Sequence, residues 1–107
     1  MEKQYLDTFK RLNELIYEIT VGEEDARKRL IFALEYKTIF SNEFPEELQK
    51  HWKYIESYCL AKTKNDYKSS YYNSLIIKRK KTCARLIRFI VDISILYKSY
   101  LKRNNLL

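Results

Sequence analysis

The residues best suited to a chemical role in this sequence are cations near its C-terminal end. Positions 78–81 hold four consecutive cations, in the stretch YYNSLIIKRKKTCARLIRFI. In one helix, spacings of three, four and three residues would place four cations on a single face: Lys78, Lys81, Arg85 and Arg88. Neighbouring like charges repel by roughly a few tenths of a kcal/mol per pair. Such a face is therefore favoured when an anion normally lies against it.

Phosphate is the first candidate anion. In the adjacent segment 62–74, tyrosines alternate with lysines, which is typical of a surface that holds nucleic-acid backbone and stacks bases. The planar guanidinium of Arg79 suits a bidentate phosphate contact. We therefore predict contacts to nucleic acid, with RNA or single strands favoured over a duplex motif. The predicted contact residues are Lys68, Tyr71, Tyr72, Lys78, Arg79, Lys81, Arg85 and Arg88.

Two other interpretations of the cationic face stay open. Its partner could be an acidic protein surface, provided by the first three helices, by a second copy or by another chain. Alternatively, the lysines simply form a solvated helix face, which is their most frequent role. Compositional bias alone does not explain the charge, because residues 1–61 carry nine cations and twelve acids (net −3), whereas residues 62–107 carry twelve cations and two acids (net +10).

The sequence contains no catalytic constellation. Its one histidine, His51, has no Ser, Cys or carboxylate at a spacing that suggests a partner. Glu14 and Glu18 are expected on a solvated surface, because bundle metal sites need Glu-x-x-His motifs. Cys59 and Cys83 lack metal-ligand spacing and are expected to be small buried hydrophobes. We therefore predict a non-catalytic binding protein without a metal or cofactor.

The elements that position these residues are predicted to be helices. One Gly and one Pro in 107 residues are too few for a sheet with tight turns, so an all-β fold is nearly excluded. Apolar periodicity predicts a single all-α domain over residues 1–107, with helices at roughly 3–20, 23–40, 45–61 and 75–103 and a loop at 62–74. We expect a mostly up-and-down four-helix bundle with a long basic C-terminal helix.

Each predicted helix carries an apolar stripe. The first contains Tyr5, Phe9, Leu12, Ile16 and Ile19, widened by Leu6 and Leu15. The second contains Ala26, Leu30, Ala33 or Leu34, and Phe40. The third contains Leu48, Trp52, Ile55 and Cys59, with Trp52 expected in the core. The fourth contains Ile76, Cys83, Leu86 or Ile87, Ile90, Val91 or Ile93, Tyr97 and Leu101.

The remaining expectations concern location and partners. The N-terminus lacks an apolar signal segment and no run is long enough to cross a membrane, which favours a cytoplasmic protein. Ten tyrosines exceed what so small a core can bury with satisfied hydroxyls, so some are expected at partner surfaces or in a homo-oligomer. The favoured function is an accessory subunit that contacts nucleic acid. The alternative is a protein-binding module: an inhibitor, an antitoxin-like partner or an assembly subunit docking through its helices.

Overall fold

The computed structural model describes residues 2–21, 25–59, 75 and 78–107, and every regular element within them is helical. The elements are α1 (Glu2–Val21), α2 (Ala26–Tyr36), a short 3-10 helix (Ser41–Glu43), α3 (Glu46–Cys59) and α4 (Lys80–Arg103). α4 packs against each of the other three helices. The all-α prediction is confirmed for these residues, while the up-and-down arrangement stays a prediction. The predicted loop at 62–74 lies outside the described residues.

The core follows the predicted stripes on α1 and α4. On α1, Leu12, Leu15 and Ile19 are buried, whereas Leu6 is partly exposed to solvent and does not belong to the stripe. The inner face of α4 is buried along the length of the helix, through Cys83, Leu86, Ile90, Ile93, Tyr97 and Leu101. Because one face of α4 is fully occupied by the core, its opposite face is left to solvent.

α2 ends earlier than the sequence pattern predicts, and the prediction that Phe40 is buried was wrong. The helix stops at Tyr36, and the hydroxyl of Thr38 donates to the carbonyl of Leu34 at 3.1 Å. The chain beyond it is extended, so successive side chains point to opposite sides. Ile39 is consequently fully buried, while Phe40 is 53% exposed.

Trp52 fixes this connecting segment to α3. Its indole Nε1–H donates to the carbonyl of Ile39 at 2.8 Å inside the core. The indole ring stacks on Phe44, with the two ring centroids 5.1 Å apart. The Phe44 ring in turn contacts the ring of Tyr97 on α4, with the centroids 5.6 Å apart. The expectation that Trp52 belongs to the core is confirmed, since it is 1% exposed.

A second buried polar contact holds the 3-10 helix against α1. The hydroxyl of Thr8, which is fully buried, donates to the carbonyl of Glu43 at 3.2 Å. The guanidinium of Arg11 donates to the carboxylate of the same glutamate at 3.0 Å. The other carboxylate oxygen of Glu43 accepts from the backbone N–H of Phe40 at 2.9 Å. These contacts satisfy polar groups that the extended connection leaves unpaired.

α4 begins five residues later than predicted, so the prediction that Lys78 and Arg79 lie inside the helix was wrong. Lys78 forms a bend, with its N–H donating to the carbonyl of Leu75 at 3.0 Å, and Arg79 is the extended N-cap residue. Leu75, beyond the bend, is fully buried in the core. Cations in a first helical turn are opposed by the helix dipole, so the break moves two of them out of the helix while keeping Leu75 buried.

α4 ends at Arg103, as predicted. A backbone motif ends the helix there. Asn105 adopts the left-handed conformation, with φ of 56°. The N–H of Leu106 donates to the carbonyl of Leu101 at 2.8 Å, and that of Asn105 donates to Lys102 at 3.2 Å. These are the two hydrogen bonds of a Schellman motif, in which asparagine is tolerated at the left-handed position. Leu106 then packs against the core.

No helix in the described part of the chain is both long enough and apolar enough to span a membrane.

Replacing Trp52 with Phe tests the contact between α3 and the connecting segment. The change leaves the buried carbonyl of Ile39 without its donor and removes part of a core ring. We expect a loss of about 2–3 kcal/mol in the free energy of unfolding. Trp52 is the chain's one tryptophan, so the variant has no tryptophan fluorescence to report unfolding. Urea denaturation is therefore followed by far-UV circular dichroism. Tyr54→Phe, on the exposed side of α3, should change the free energy of unfolding by less than ~0.5 kcal/mol. Equal losses in the two variants would contradict the structural role of the Trp52 contact.

The two cysteines are both free and fully buried. Burial raises the pKa of the Cys59 thiol to about 12 and also raises the pKa of Cys83. Because the thiolate is the reactive form, we expect both thiols to resist a disulfide reagent in the native protein. Both should react rapidly in urea. Rapid reaction without denaturant would show that one of the two sites is open.

Candidate nucleic-acid interface

Three of the predicted contact residues form an exposed row on α4. Lys81, Arg85 and Arg88, called here the basic stripe, are spaced by four and three residues and all are exposed. From Lys81 to Arg88 there are seven steps along the helix, or about 10.5 Å of helix axis at ~1.5 Å per residue. Asp92 lies one turn further on and is also exposed, so the stripe ends at a carboxylate.

The other predicted residues do not extend the stripe as expected. Lys78 is half-buried in the bend, and its ammonium lies 5.7 Å from the ring centroid of Tyr58. Arg79 is exposed at the N-cap of α4. The prediction for Lys68, Tyr71 and Tyr72 falls outside the described residues. The structure therefore brings Lys78 to α3, which the assumption of one continuous helix did not predict.

Acids of the first three helices do not neutralise the basic stripe in the described residues. Instead they pair with cations elsewhere, at nitrogen–oxygen distances of 2.8–3.7 Å: Glu14 with Lys37, Glu43 with Arg11, Glu47 with Arg103, and Asp25 with Lys80. Within those ranges of the chain, Lys81, Arg85 and Arg88 form no ion pair. Among the described residues, the stripe is thus a positive surface that no carboxylate contacts directly.

An aromatic groove lies directly beside the stripe, and the sequence analysis missed it. The groove separates α3 from α4, has a volume of about 220 Å³, and is lined by Tyr54, Tyr58, Thr82, Arg85, Leu86 and Phe89. Arg85 belongs both to the groove and to the basic stripe. The sequence feature that could have indicated the groove is the spacing of Tyr54 and Tyr58, which lie four residues apart on the polar side of α3.

The rings in this groove contact one another closely. The centroid of Tyr54 is 4.9 Å from that of Phe89 and 5.0 Å from that of Tyr58. The ring of His51 lies 6.4 Å from Phe89, so the single histidine belongs to the edge of this cluster. A hydrogen bond with the Tyr58 hydroxyl raises the pKa of Tyr54 above its usual range.

The start of α2 anchors the basic segment at the entrance of α4. Asp25 is the N-cap of α2, where its carboxylate accepts from the backbone N–H of Lys28 at 3.0 Å. The same carboxylate lies 3.7 Å from the ammonium of Lys80. Arg27 donates to the carbonyl of Lys78 at 3.4 Å. These contacts replace the ion pair between Asp25 and Arg29 that a longer second helix would have allowed; Arg29 instead donates to the carbonyl of Ile19 at 3.2 Å.

The chemistry of this region is that of binding. Cations on α4 can hold phosphate oxygens, and exposed aromatic rings beside them can stack on flat apolar ligands. In the part of the chain that the structure covers, no three His, Cys, Asp or Glu side chains converge as metal ligands.

The sequence matches no protein-family model, and neither a curated protein nor a solved structure is significantly similar to it.

The N-cap carboxylate gives the protein a defined pH dependence. The backbone hydrogen bond from Lys28, assisted by Lys80, lowers the pKa of Asp25 below 3.8. Its stabilisation is therefore complete above about pH 4 and is lost as the pH falls through the lower folded-state pKa. Asp25→Asn keeps an N-cap side chain but cannot ionise. We expect the wild type to be more stable than the variant at about pH 7 and to lose that advantage progressively as the pH falls below about 4, as measured by urea midpoints. A constant difference would contradict this role.

Proposed function

We propose that this protein is a small non-catalytic binding protein, an accessory subunit that contacts the phosphate backbone of nucleic acid through the basic face of α4. RNA and single strands are the favoured ligands. The observation that carries the proposal is the basic stripe: three exposed cations on one helix face that pair with no carboxylate among the described residues. Placing polyanion phosphates against the stripe would relieve the repulsion between its members and release counterions from the nucleic acid.

The dimensions of the stripe suit a short run of backbone. The stripe is about 10.5 Å long, and each of its three cations can contact one phosphate. Lys78 and Arg79 stand at the N-terminal end of α4, close enough in sequence to lengthen the contact. The segment 62–107, with its net charge of +10, would add a general attraction for a polyanion at low salt.

Charge reversal of the stripe tests the proposal. The triple variant Lys81→Glu, Arg85→Glu and Arg88→Glu should lose binding to labelled single-stranded RNA and DNA, measured by fluorescence anisotropy from about 50 to 200 mM salt. In the wild type, the slope of log affinity against log salt should be steep. Three phosphate contacts account for roughly 2 units of that slope on a single strand.

A matched variant separates a local site from a general charge effect. Lys3, Lys10 and Lys98 are exposed and lie away from the stripe, and reversing all three changes the net charge by the same amount. This control should retain most of the affinity. Equal losses in the two triple variants, or no binding by the wild type at the lowest salt, would refute the proposal.

The alternative ligand is an acidic protein surface, in which case the protein is an inhibitor, an antitoxin-like partner or an assembly subunit. Absence of nucleic-acid binding together with capture of an acidic protein partner, lost on reversal of the basic stripe, would favour that function.

A further inference from the structure

The aromatic groove has a feature that the phosphate contacts leave unexplained. Some large aromatic side chains of the described chain are packed inside, such as Phe44, Trp52 and Tyr97, whereas others, such as Tyr17 and Tyr36, are exposed. Tyr54 and Tyr58 leave 47% and 40% of their surface in solvent and also contact one another. Contact within a cluster fixes the orientation of a ring, and exposure leaves part of its surface accessible to a ligand.

The groove is organised before any ligand arrives. The ring of Tyr54 contacts that of Phe89 of α4 and that of Tyr58, with centroid separations of 4.9 and 5.0 Å. These contacts restrain the orientation of the rings. Since little side-chain freedom remains to be lost, stacking on these rings would carry a small entropic cost.

Arg85 connects this groove to the backbone-binding surface. It is the middle residue of the basic stripe and also forms part of the groove wall. Lys78 lies over the ring of Tyr58 on the same side of the molecule. A strand whose phosphates contact the stripe therefore has its bases within reach of the rings. This alternation of cations and aromatic rings is the pattern by which proteins hold single strands.

We propose that the aromatic groove is a stacking site for unpaired nucleobases, and that it gives the protein a preference for single-stranded over double-stranded nucleic acid. The inference rests on the proposed function, because the basic stripe must first hold the backbone. In a duplex the bases are already stacked and paired, so their faces cannot reach Tyr54 or Tyr58. In a single strand every base has a free face, so the site would accept different sequences.

A strand without bases tests the stacking site separately from the phosphate contacts. Two labelled oligonucleotides of equal length are compared by anisotropy with the wild-type protein: a normal single strand and a strand of abasic nucleotides, which has the same phosphates. We expect the normal strand to bind roughly 5- to 100-fold more tightly. A duplex of the same length should also bind more weakly than the normal strand. The salt dependence should be similar for the two single strands, because both present the same charges.

Variants then assign the difference to the groove. Tyr54→Ala with Tyr58→Ala should remove the advantage of the normal strand while leaving the abasic strand's affinity within about twofold of wild type. Tyr54→Phe with Tyr58→Phe keeps both rings and should retain most of the advantage. Tyr17→Ala with Tyr36→Ala removes two other exposed tyrosines and should have no effect. Circular dichroism confirms that each variant is folded.

The outcomes separate this inference from the proposed function. Equal, salt-dependent binding of the normal and abasic strands would overturn the stacking site and leave the phosphate contacts standing. A loss shared equally by the Tyr54/Tyr58 and Tyr17/Tyr36 alanine variants would also overturn it. If neither strand binds at the lowest salt, the proposed function fails and the stacking site fails with it.

Discussion

The arrangement of the molecule depends on how one indole ring is buried. Trp52 contacts the segment between α2 and α3 through its hydrogen bond to Ile39 and its stacking on Phe44. Phe44 continues this contact to Tyr97, whose hydroxyl donates to the carbonyl of Tyr5 at 2.6 Å. A single line of side chains thus joins α3 to α4 and α4 to α1. Tyr54 lies two residues after Trp52, so the same contacts set the separation between the walls of the aromatic groove.

Acidic residues in the first part of the chain form ion pairs between elements of the fold, whereas the exposed face of α4 is basic. Carboxylates on the first three helices pair with cations that hold elements together, such as Arg11 with the 3-10 helix and Lys37 with α1. Most of these pairs are partly exposed, so each contributes little to the free energy of folding. Two of these acids, Asp25 and Glu47, pair with Lys80 and Arg103 at the two ends of α4. None of the pairs among the described residues involves Lys81, Arg85 or Arg88, so the basic stripe keeps its positive charge.

Helical periodicity predicted much of the fold from the sequence. It gave the apolar face of α1, the inner face of α4 and the exposed positions of Lys81, Arg85 and Arg88, because these depend on the 3.6-residue repeat alone. The end of α2 could not be predicted in the same way, since it is fixed by hydrogen bonds that the Thr38 hydroxyl donates to Leu34 and the Trp52 indole donates to Ile39. The bend at Lys78 depends on the burial of Leu75, which is a tertiary effect. The aromatic groove was missed because it forms only when Tyr54 meets Phe89 on another helix.

The two faces of α4 have different consequences for change over evolutionary time. Substitutions on the inner face alter a close-packed core, so few are tolerated without loss of stability. Substitutions of the exposed cations affect no such packing, and surface positions of this kind usually change stability by less than ~0.5 kcal/mol. The surface charge of the helix can therefore diversify while the fold is kept. In a small protein with one long helix of this kind, a few mutations can change the charge of a whole face.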